Sequence, residues 1–119
     1  MSAQSIDLSS KLSQFNEYWA PRTVTQFNGH DVMVAKIHGE YAWHSHAETD
    51  DFFLVIHGRV YLDLPDNVTV QLDPGQLFVV PKGVLHRPRA PEEAHILLME
   101  TTGTPNSGDP ATAAPRREI

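Results

Sequence analysis

Apolar and polar residues alternate along most of the chain with the period of β-strands. From Arg22 onward apolar side chains recur at every second position, most clearly in residues 60–64 and 68–72. Successive side chains of a strand point to opposite faces, so this pattern gives each strand one apolar face. Short strands of this kind, separated by turn residues, predict an all-β sandwich or barrel.

Turn signals divide the chain into these strands. Asn28-Gly29 predicts a hairpin because both residues tolerate positive φ. Further turns are predicted at His57-Gly58 and at residues 65–67, 73–75 and 81–83. Among the strands between them we expect 22–27, 32–37, 41–46, 51–56, 60–64, 68–72, a buried strand at 77–80, and a last strand at 93–100.

The first 21 residues have a different period. Leu8, Leu12, Phe15 and Trp19 recur at spacings of three and four. This spacing predicts a short amphipathic helix over residues 7–19, with Asp7 as its N-cap and Pro21 ending it. The apolar stripe is more typical of packing, against the barrel or a second subunit, than of a cofactor site.

The last residues have little to bury. Residues 103–119 are rich in Gly, Pro, Ser, Thr and Ala, and we expect a tail that is disordered or wraps across the domain. The predicted organisation is therefore a helical segment at 1–21, a barrel at 22–102 and a flexible or wrapping tail at 103–119. At 119 residues the chain suits a single domain.

Composition excludes several function classes. The chain has no cysteine, which excludes disulfides, thiolate metal sites and a cysteine nucleophile. The net charge of −6 argues against nucleic acid as a partner. Apolar runs are only strand-length and no signal peptide is visible, so we expect a cytoplasmic protein with no membrane partner.

Candidate chemistry is concentrated in residues 39–58, GEYAWHSHAETDDFFLVIHG. His44 and His46, two positions apart on a predicted strand, share one face. A carboxylate cluster follows at Glu48, Asp50 and Asp51, and a carboxylate on the adjoining strand could complete a three-cornered metal site. Nitrogen and carboxylate donors suit iron, manganese, nickel or zinc. Paired histidines at this spacing also occur by chance, so the rest of the chain has to support the interpretation.

A second stretch, GQLFVVPKGVLHRPRA at residues 75–90, carries a further histidine. A strand there runs into the turn at Pro81-Lys82-Gly83, and His86 follows three residues later. Together the two stretches resemble the motifs of the cupin superfamily, G-x5-H-x-H-x3,4-E-x6-G and G-x5-P-x-G-x2-H-x3-N. The resemblance covers about residues 32–101 and is closest to small single-domain bacterial cupins.

This resemblance implies a double-stranded β-helix, or jelly-roll barrel, with one divalent transition metal in its mouth. The implied ligands are His44, His46 and His86, with Asp51 at the glutamate position. Asp51 is one methylene shorter than glutamate, so it could ligate directly or through water. Glu48 and Asp50 are weaker substitutes, because alternation puts Asp50 opposite Asp51 and Glu48 falls in the predicted turn. Two further departures are a gap before His44 that is one residue short and Ala90 in place of asparagine.

Other residues are candidates for contact with a substrate. His95 lies inside the last predicted strand and could face the cavity. Arg87, with Arg89, could bind a substrate carboxylate in a bidentate manner, although pairing with Glu92 or Glu93 at the surface is the commoner outcome. Phe53 is a candidate too, but packing is the more common role of an aromatic residue in a core.

Three functions remain open at this stage. The first is a metal-dependent enzyme of dioxygenase, isomerase or lyase type acting on a small organic molecule. The second is a non-catalytic module that binds or senses a small molecule or metal. The third is a metal-free isomerase with His86 or His46 as general base.

We also expect a homodimer, because Arg22–Phe27 is predicted to be an exposed edge strand preceded by an apolar helix.

Overall fold

The computed structural model describes residues 3–109, 111, 113–114 and 116–119. Residues 1, 2, 110, 112 and 115, which belong to the predicted segments 1–21 and 103–119, lie outside this description. The elements are α1 (Leu8–Leu12), β1 (Arg22–Phe27), β2 (His30–Glu40), β3 (Asp51–His57), β4 (Val60–Leu64), β5 (Val68–Leu72), β6 (Leu77–Val80), β7 (Arg87–Thr101) and β8 (Arg117–Glu118).

The longest strand, β7, organises the barrel. It pairs antiparallel with β2 along one side, and with β4 and then β3 along the other. The strands β5, β6 and β1 extend the sheet beyond β4, β3 and β2. This is the double-stranded β-helix that the sequence predicted, with a short helix before it.

Alternate positions of the strands fill the barrel interior. In β7 the side chains of Ala94, Ile96 and Leu98 are buried in the main core, whereas those between them point outward. A smaller cluster on the outer face joins Leu12 and Phe15 to Val34 of β2. The N-terminal apolar stripe therefore packs against the barrel, and Trp19 packs against the main core.

Two predicted turns depend on the freedom of glycine. At the β1–β2 hairpin, Asn28 and Gly29 have φ values of 49° and 73°, as expected for the Asn-Gly signal. Gly58, between β3 and β4, has φ 82°, and a Cβ there would lie 2.9 Å from the carbonyl oxygen of Glu93. This turn therefore requires glycine both for its backbone conformation and for the close approach of β7.

The predicted helix over residues 7–19 is wrong in length. Asp7 caps α1 through a hydrogen bond from Ser9 N–H, as predicted, but the helix ends at Leu12. The Ser13 hydroxyl donates to the carbonyl of Ser10, which competes with continued helix. Further on, Trp19 N–H donates to the carbonyl of Lys36, so pairing with β2 replaces helix in this stretch.

The strand predicted at residues 41–46 does not form. β2 bends at Gly39, which has φ 83°, one residue before the strand ends. The only strand-like pairing of residues 41–46 within the described part of the chain is the bridge between His44 and His86. Side-chain alternation is nevertheless preserved, because the chain from His44 to His46 stays hydrogen-bonded to the segment opposite it. The two histidines thus share a face without a continuous strand.

The strands differ from the prediction in three further respects. β6 is not buried as predicted, since Leu77 and Val79 face outward and are 54% and 40% exposed. The last barrel strand begins at Arg87 rather than at residue 93, because its first residues pair with β4. The two-residue strand β8 was not predicted. It pairs with Arg22 and Thr23, so the expectation of an open edge at β1 is wrong at these positions.

Helices in the described part of the chain are short. None of them is long and apolar enough to cross a membrane.

Candidate metal centre

Four side chains from two distant stretches of the chain meet inside one end of the barrel. His44, His46, Asp51 and His86 each direct a donor atom to a common point, and these atoms lie within 4.8 Å of one another. All four residues are buried. In the described part of the chain they are the one group of histidines and carboxylates so arranged.

Backbone hydrogen bonds fix where the histidines stand. His44 and His86 exchange a pair of N–H to carbonyl bonds of 3.0 and 2.9 Å, which holds their two segments side by side. Gly83 N–H donates to the carbonyl of His46 at 2.7 Å, so the Pro81-Lys82-Gly83 turn is tied to the first histidine pair. The two sequence motifs are therefore joined by direct hydrogen bonds.

Two of the rings have their orientation set by the backbone. The Nδ1 atom of His44 lies 2.9 Å from the carbonyl of Ala42, and Nδ1 of His86 lies 2.9 Å from that of Val84. A carbonyl only accepts, so Nδ1–H is the donor in both rings. This leaves the Nε2 lone pair of His44 free to bind a metal, an arrangement common among metal-binding histidines, whereas Nε2 of His86 lies 2.8 Å from Asp51 Oδ2.

Several buried polar atoms of the site have no hydrogen-bond partner within the described residues. They are both ring nitrogens of His46 and Oδ1 of Asp51. His46 Nε2 lies 3.2 Å from Asp51 Oδ2, close enough for an ion pair but without hydrogen-bond alignment. Buried polar atoms are rarely left unpaired in folded proteins. A cation at the common point would satisfy two of them.

The protonation states also suit a cation. Burial lowers the pKa of His44, outweighing the opposing effect of the hydrogen bond to Ala42, so the ring is neutral at pH 7. Burial alone would raise the pKa of Asp51, but its contacts with His46, His86 and Glu100 outweigh burial and lower it. A neutral imidazole and an ionised carboxylate are the forms that ligate metals.

Glu100 is the residue of this region that sequence reasoning missed. It is 4% exposed and lies on the inward face of β7, next in the alternation after Leu98. Burial and the nearby Asp51 carboxylate raise the pKa of Glu100 to about 9, so it holds a proton at neutral pH. Extending the inward register of residues 94, 96 and 98 by one step would have found it.

A cavity of about 40 Å³ adjoins the four residues. Such a volume holds one or two water molecules. His44 and Asp51 border it on the metal side, and Glu100 borders it too. The remaining lining is largely apolar and aromatic: Trp19, Pro21, Ala35, Ile37, Tyr41, Phe53, Pro88, Ile96, Leu98 and Asn106.

The residues present fit a divalent transition metal. Three imidazoles and one carboxylate converge, with no thiolate available, and unpartnered lone pairs face the centre. Such a donor set suits iron, manganese, nickel or zinc.

Comparison with known proteins agrees with this arrangement. The family model described as "Cupin domain" matches residues 31–100, more than half of the chain. The protein belongs to the cupin family. A cupin-2 domain protein from Shewanella frigidimarina is 38% identical, with a TM-score of 0.79, and the match covers 81% of this chain and 93% of that one. The uncharacterised protein YdbB of Bacillus subtilis is 33% identical over 78 residues, covering 66% of this chain and 69% of YdbB.

Enzymes are among the proteins of similar structure. Hydroquinone 1,2-dioxygenase from Sphingomonas, solved in complex with 4-nitrophenol, superposes with a TM-score of 0.74 at 15% identity. The match covers 82% of this cupin and 32% of the dioxygenase chain. At this level of identity the likeness shows the fold alone.

The candidates for substrate contact have different positions in this cupin. Phe53 is 3% exposed and borders the cavity, with its ring centroid 6.1 Å from that of His86. The expectation that His95 could face the cavity is wrong. His95 alternates with the inward-facing Ala94 and Ile96, points outward, and pairs with Glu93 at 2.7 Å.

Arg87 and Arg89 are held by a carboxylate that was not predicted. Arg87 Nη2 and Arg89 Nε lie 2.9 and 2.8 Å from Asp63 Oδ2 on β4, and Arg87 also pairs with Glu40. Pairing with Glu92 or Glu93 was the wrong expectation, because β7 pairs with β4 at this point. Hydrogen bonds from Arg89 above all lower the pKa of Asp63 to about 2.

The two alternative carboxylates stand away from the centre. Asp50 Oδ1 accepts from Lys82 N–H at 2.9 Å, and Glu48 is exposed. Asp50 agrees with the alternation argument, and Glu48 lies in the bend where the turn was predicted.

Proposed function

We propose that this cupin binds one divalent transition metal through His44, His46, His86 and Asp51 and acts on a small organic molecule beside it. The observation that carries the proposal is the meeting of four buried donor atoms within 4.8 Å, with unpartnered lone pairs among them. A metal held there supplies Lewis acidity or a site for dioxygen activation, which underlies dioxygenase, isomerase and lyase chemistry.

The protein's own residues have distinct parts in this proposal. Asp51 supplies negative charge and the three imidazoles supply nitrogen donors. Glu100 holds a proton at its carboxyl group next to the cavity, where it can exchange that proton with a reacting group. The apolar lining, including Ile37 and Leu98, excludes water from the reactant.

Metal reconstitution tests this function. Stripped protein is loaded with iron, manganese, nickel or zinc, and small organic acids and phenols are incubated with each form and followed by mass spectrometry. We expect one metal to support turnover that chelation abolishes. Turnover that survives exhaustive chelation would favour the metal-free isomerase instead.

A non-catalytic binding module is the second candidate. The cavity of about 40 Å³ favours a module that binds the metal or a very small ligand, because an organic molecule of more than a few atoms does not fit unless the lining moves. The same incubations distinguish the two functions. Tight binding of a compound that is recovered unchanged with every metal supports the binding module and contradicts the enzyme.

We also propose that the protein forms a homodimer through the outer face of β3, β6 and β7. Antiparallel sheets normally carry polar residues on the face away from the core. Here Phe52 and Leu54 of β3 face outward beside outward apolar residues of both neighbouring strands. Those neighbours are Leu77 and Val79 on β6, and Leu97 and Met99 on β7.

The exposure of apolar side chains on this face supports a dimer. Leu77 is 54% exposed, and Phe27 next to the face is 63% exposed. Apolar patches of roughly 300–600 Å² are often functional, and a standard interface takes about 800 Å² from each partner. A second copy is the partner with the matching chemistry, because an apolar face without charged pairs is complementary to itself.

Light scattering with matched variants tests the dimer. We expect twice the chain mass of 13.3 kDa for the natural protein. Leu77→Glu should give a monomer, whereas Val68→Glu, at an apolar residue 49% exposed on β5, should stay dimeric. A single species at monomer mass for the natural protein would contradict the proposal.

A further inference from the structure

The described residues of the C-terminal segment, 102–109, 111, 113–114 and 116–119, connect β7 with β1. It begins where Thr102 N–H donates to the carbonyl of Gly29 at 3.1 Å. It ends in β8, with Ile119 N–H donating to the carbonyl of Thr23 at 3.0 Å. Ile119 also packs against the cluster of Leu12 and Phe15. Both ends of the segment are therefore attached to the body of the protein.

Arg116 anchors the returning part of the segment. Its Nη1 lies 2.5 Å from Asp31 Oδ2, and its Nη2 lies 3.0 Å from Glu100 Oε2. Nη2 also donates to the carbonyl of Thr104 within the segment. Asp31 and Glu100 are 4% exposed, so this cation contacts one buried carboxylate, that of Asp31, and the buried carboxyl group of Glu100. Charge-assisted contacts to buried groups are stronger than surface ion pairs.

The segment touches the chain between the two paired histidines. Gly108, with φ 77°, lies against the carbonyl of Ser45, and a Cβ at this position would overlap with that oxygen. A surface cavity is bordered by His46 and residues 47–49 on one side and by residues 102–105 and Gly108 on the other. The segment thus lies directly over the loop that carries His44 and His46.

Asn106 brings an amide group of this segment to the interior cavity. It borders the same cavity as His44, Asp51 and Trp19. Its Oδ1 accepts from Ala114 N–H at 2.9 Å, which fixes the orientation of the side chain. In the described part of the chain its amide nitrogen has no hydrogen-bond partner. The amide N–H groups are therefore available to an acceptor on a bound molecule.

We propose that the C-terminal segment is a wall of the reactant cavity and that Asn106 is its specificity-determining residue, donating to an acceptor oxygen of the bound molecule. The inference rests on the proposed function of the metal centre. The preferred ligand is a small molecule with an apolar body and a carboxylate or carbonyl oxygen. The wall, held by Arg116, limits the size of what enters.

Acrylamide quenching of tryptophan fluorescence tests the wall in metal-free protein. Trp19 borders the cavity, and Trp43→Phe leaves it as the sole tryptophan. We expect Arg116→Met to raise the quenching constant of Trp19 about two-fold by releasing the segment. The control Arg117→Met, at a residue with one 3.8 Å ion pair, should leave it unchanged. Equal constants in natural and Arg116→Met proteins would overturn the wall.

Calorimetric binding of acetate and benzoate to the zinc-loaded protein tests specificity. Asn106→Asp keeps the acceptor for Ala114 N–H and removes the donor, and should weaken acetate binding about three- to ten-fold with zinc affinity unchanged. Arg116→Met should admit benzoate, which the natural protein excludes. Acetate binding that is absent, or is the same in Asn106→Asp and natural proteins, overturns the role of Asn106.

The two measurements separate this inference from the proposed function. Quenching requires no metal, so its result stands even if the protein fails to retain zinc. A protein that lacks zinc affinity but shows the Arg116→Met effect would retain the wall and lose the metal site. If the protein binds zinc but the variants show the same quenching constant and the same acetate affinity as the natural protein, the metal site is supported. The wall and the role of Asn106 are then contradicted.

Discussion

His86 Nε2 lies 2.8 Å from Asp51 Oδ2, although the two residues are 35 positions apart in the chain. Both are buried, and the contact joins the loop after β6 to the first residue of β3. Burying an imidazole and a carboxylate together costs free energy unless they are paired or bind a cation. The pair is therefore the point at which the two motifs form one site.

Removing one imidazole should remove most of the metal affinity. We expect His86→Ala to weaken zinc binding more than about 100-fold. Removing a metal ligand costs more affinity than removing a residue that only orients a ligand. Competition titration with a chelating dye measures the affinity. His30→Ala, at an exposed histidine, is the control and should bind zinc normally. If His86→Ala keeps its circular dichroism spectrum and full zinc affinity, the assignment of His86 fails.

Metal should stabilise the fold. A ligand that binds only the folded state, at a free concentration 100 times its dissociation constant, adds about 2.7 kcal/mol to the free energy of unfolding. For a chain of this size we expect a rise in melting temperature of roughly 10 °C. Differential scanning calorimetry with and without zinc measures it, and chelator should reverse it. An unchanged melting temperature at saturating zinc would be incompatible with a site that exists only in the folded protein.

The site could be predicted largely because its spacing is local. The pair His44 and His46 needed only side-chain alternation, and His86 followed a turn marked by Pro81 and Gly83. The family pattern then related the two stretches, and it pointed to Asp51 rather than Asp50. The barrel itself was predictable for the same reason, since most of its turns carry glycine or paired turn residues.

What could not be predicted depends on contacts between distant segments. Pairing of β7 with β4 brings Asp63 to Arg87, and no local pattern indicates it. The helix ends at Leu12 because later residues pair with β2, which overrides the apolar stripe. The docking of Arg116 on Asp31 likewise joins residues 85 positions apart.

Stability of the metal-free protein should fall between pH 7 and 9 because of Glu100. The folded pKa is about 9, against an ordinary value of 4.5, so in this window folded Glu100 keeps a proton that the unfolded chain has lost. The free energy of unfolding therefore decreases as pH rises, by at most about 1.4 kcal/mol per pH unit. The pKa of His44 is lowered in the folded protein, so this residue changes the free energy of unfolding only below its ordinary pKa of 6.5. It does not contribute between pH 7 and 9.

Urea denaturation at several pH values checks this dependence. Glu100→Gln should flatten the slope between pH 7 and 9, because its side chain does not titrate. The control Glu118→Gln, at an exposed residue of β8, should retain the natural slope. Identical slopes in the Glu100→Gln and natural proteins would show that Glu100 does not hold its proton in the folded state.

Two glycine turns should differ in their tolerance of alanine. Gly29 and Gly58 both have positive φ, but only at Gly58 would a Cβ meet backbone, 2.9 Å from the Glu93 carbonyl. Gly29→Ala should cost about 1 kcal/mol of stability from its backbone conformation alone. Gly58→Ala should cost about 3 kcal/mol or more, because β4 and β7 must also separate. Equal losses in urea denaturation would contradict the close approach at Gly58.

X-ray absorption of the zinc-loaded protein tests the metal centre most directly. The account predicts one zinc per chain with three imidazole nitrogens at about 2.0–2.1 Å and an oxygen ligand at a similar distance. The scattering should correspond to three histidine rings around the zinc. In His86→Ala the number of rings should fall to two. Zinc surrounded by oxygen ligands alone, or less than one imidazole per metal, would contradict the site on which the proposed function depends.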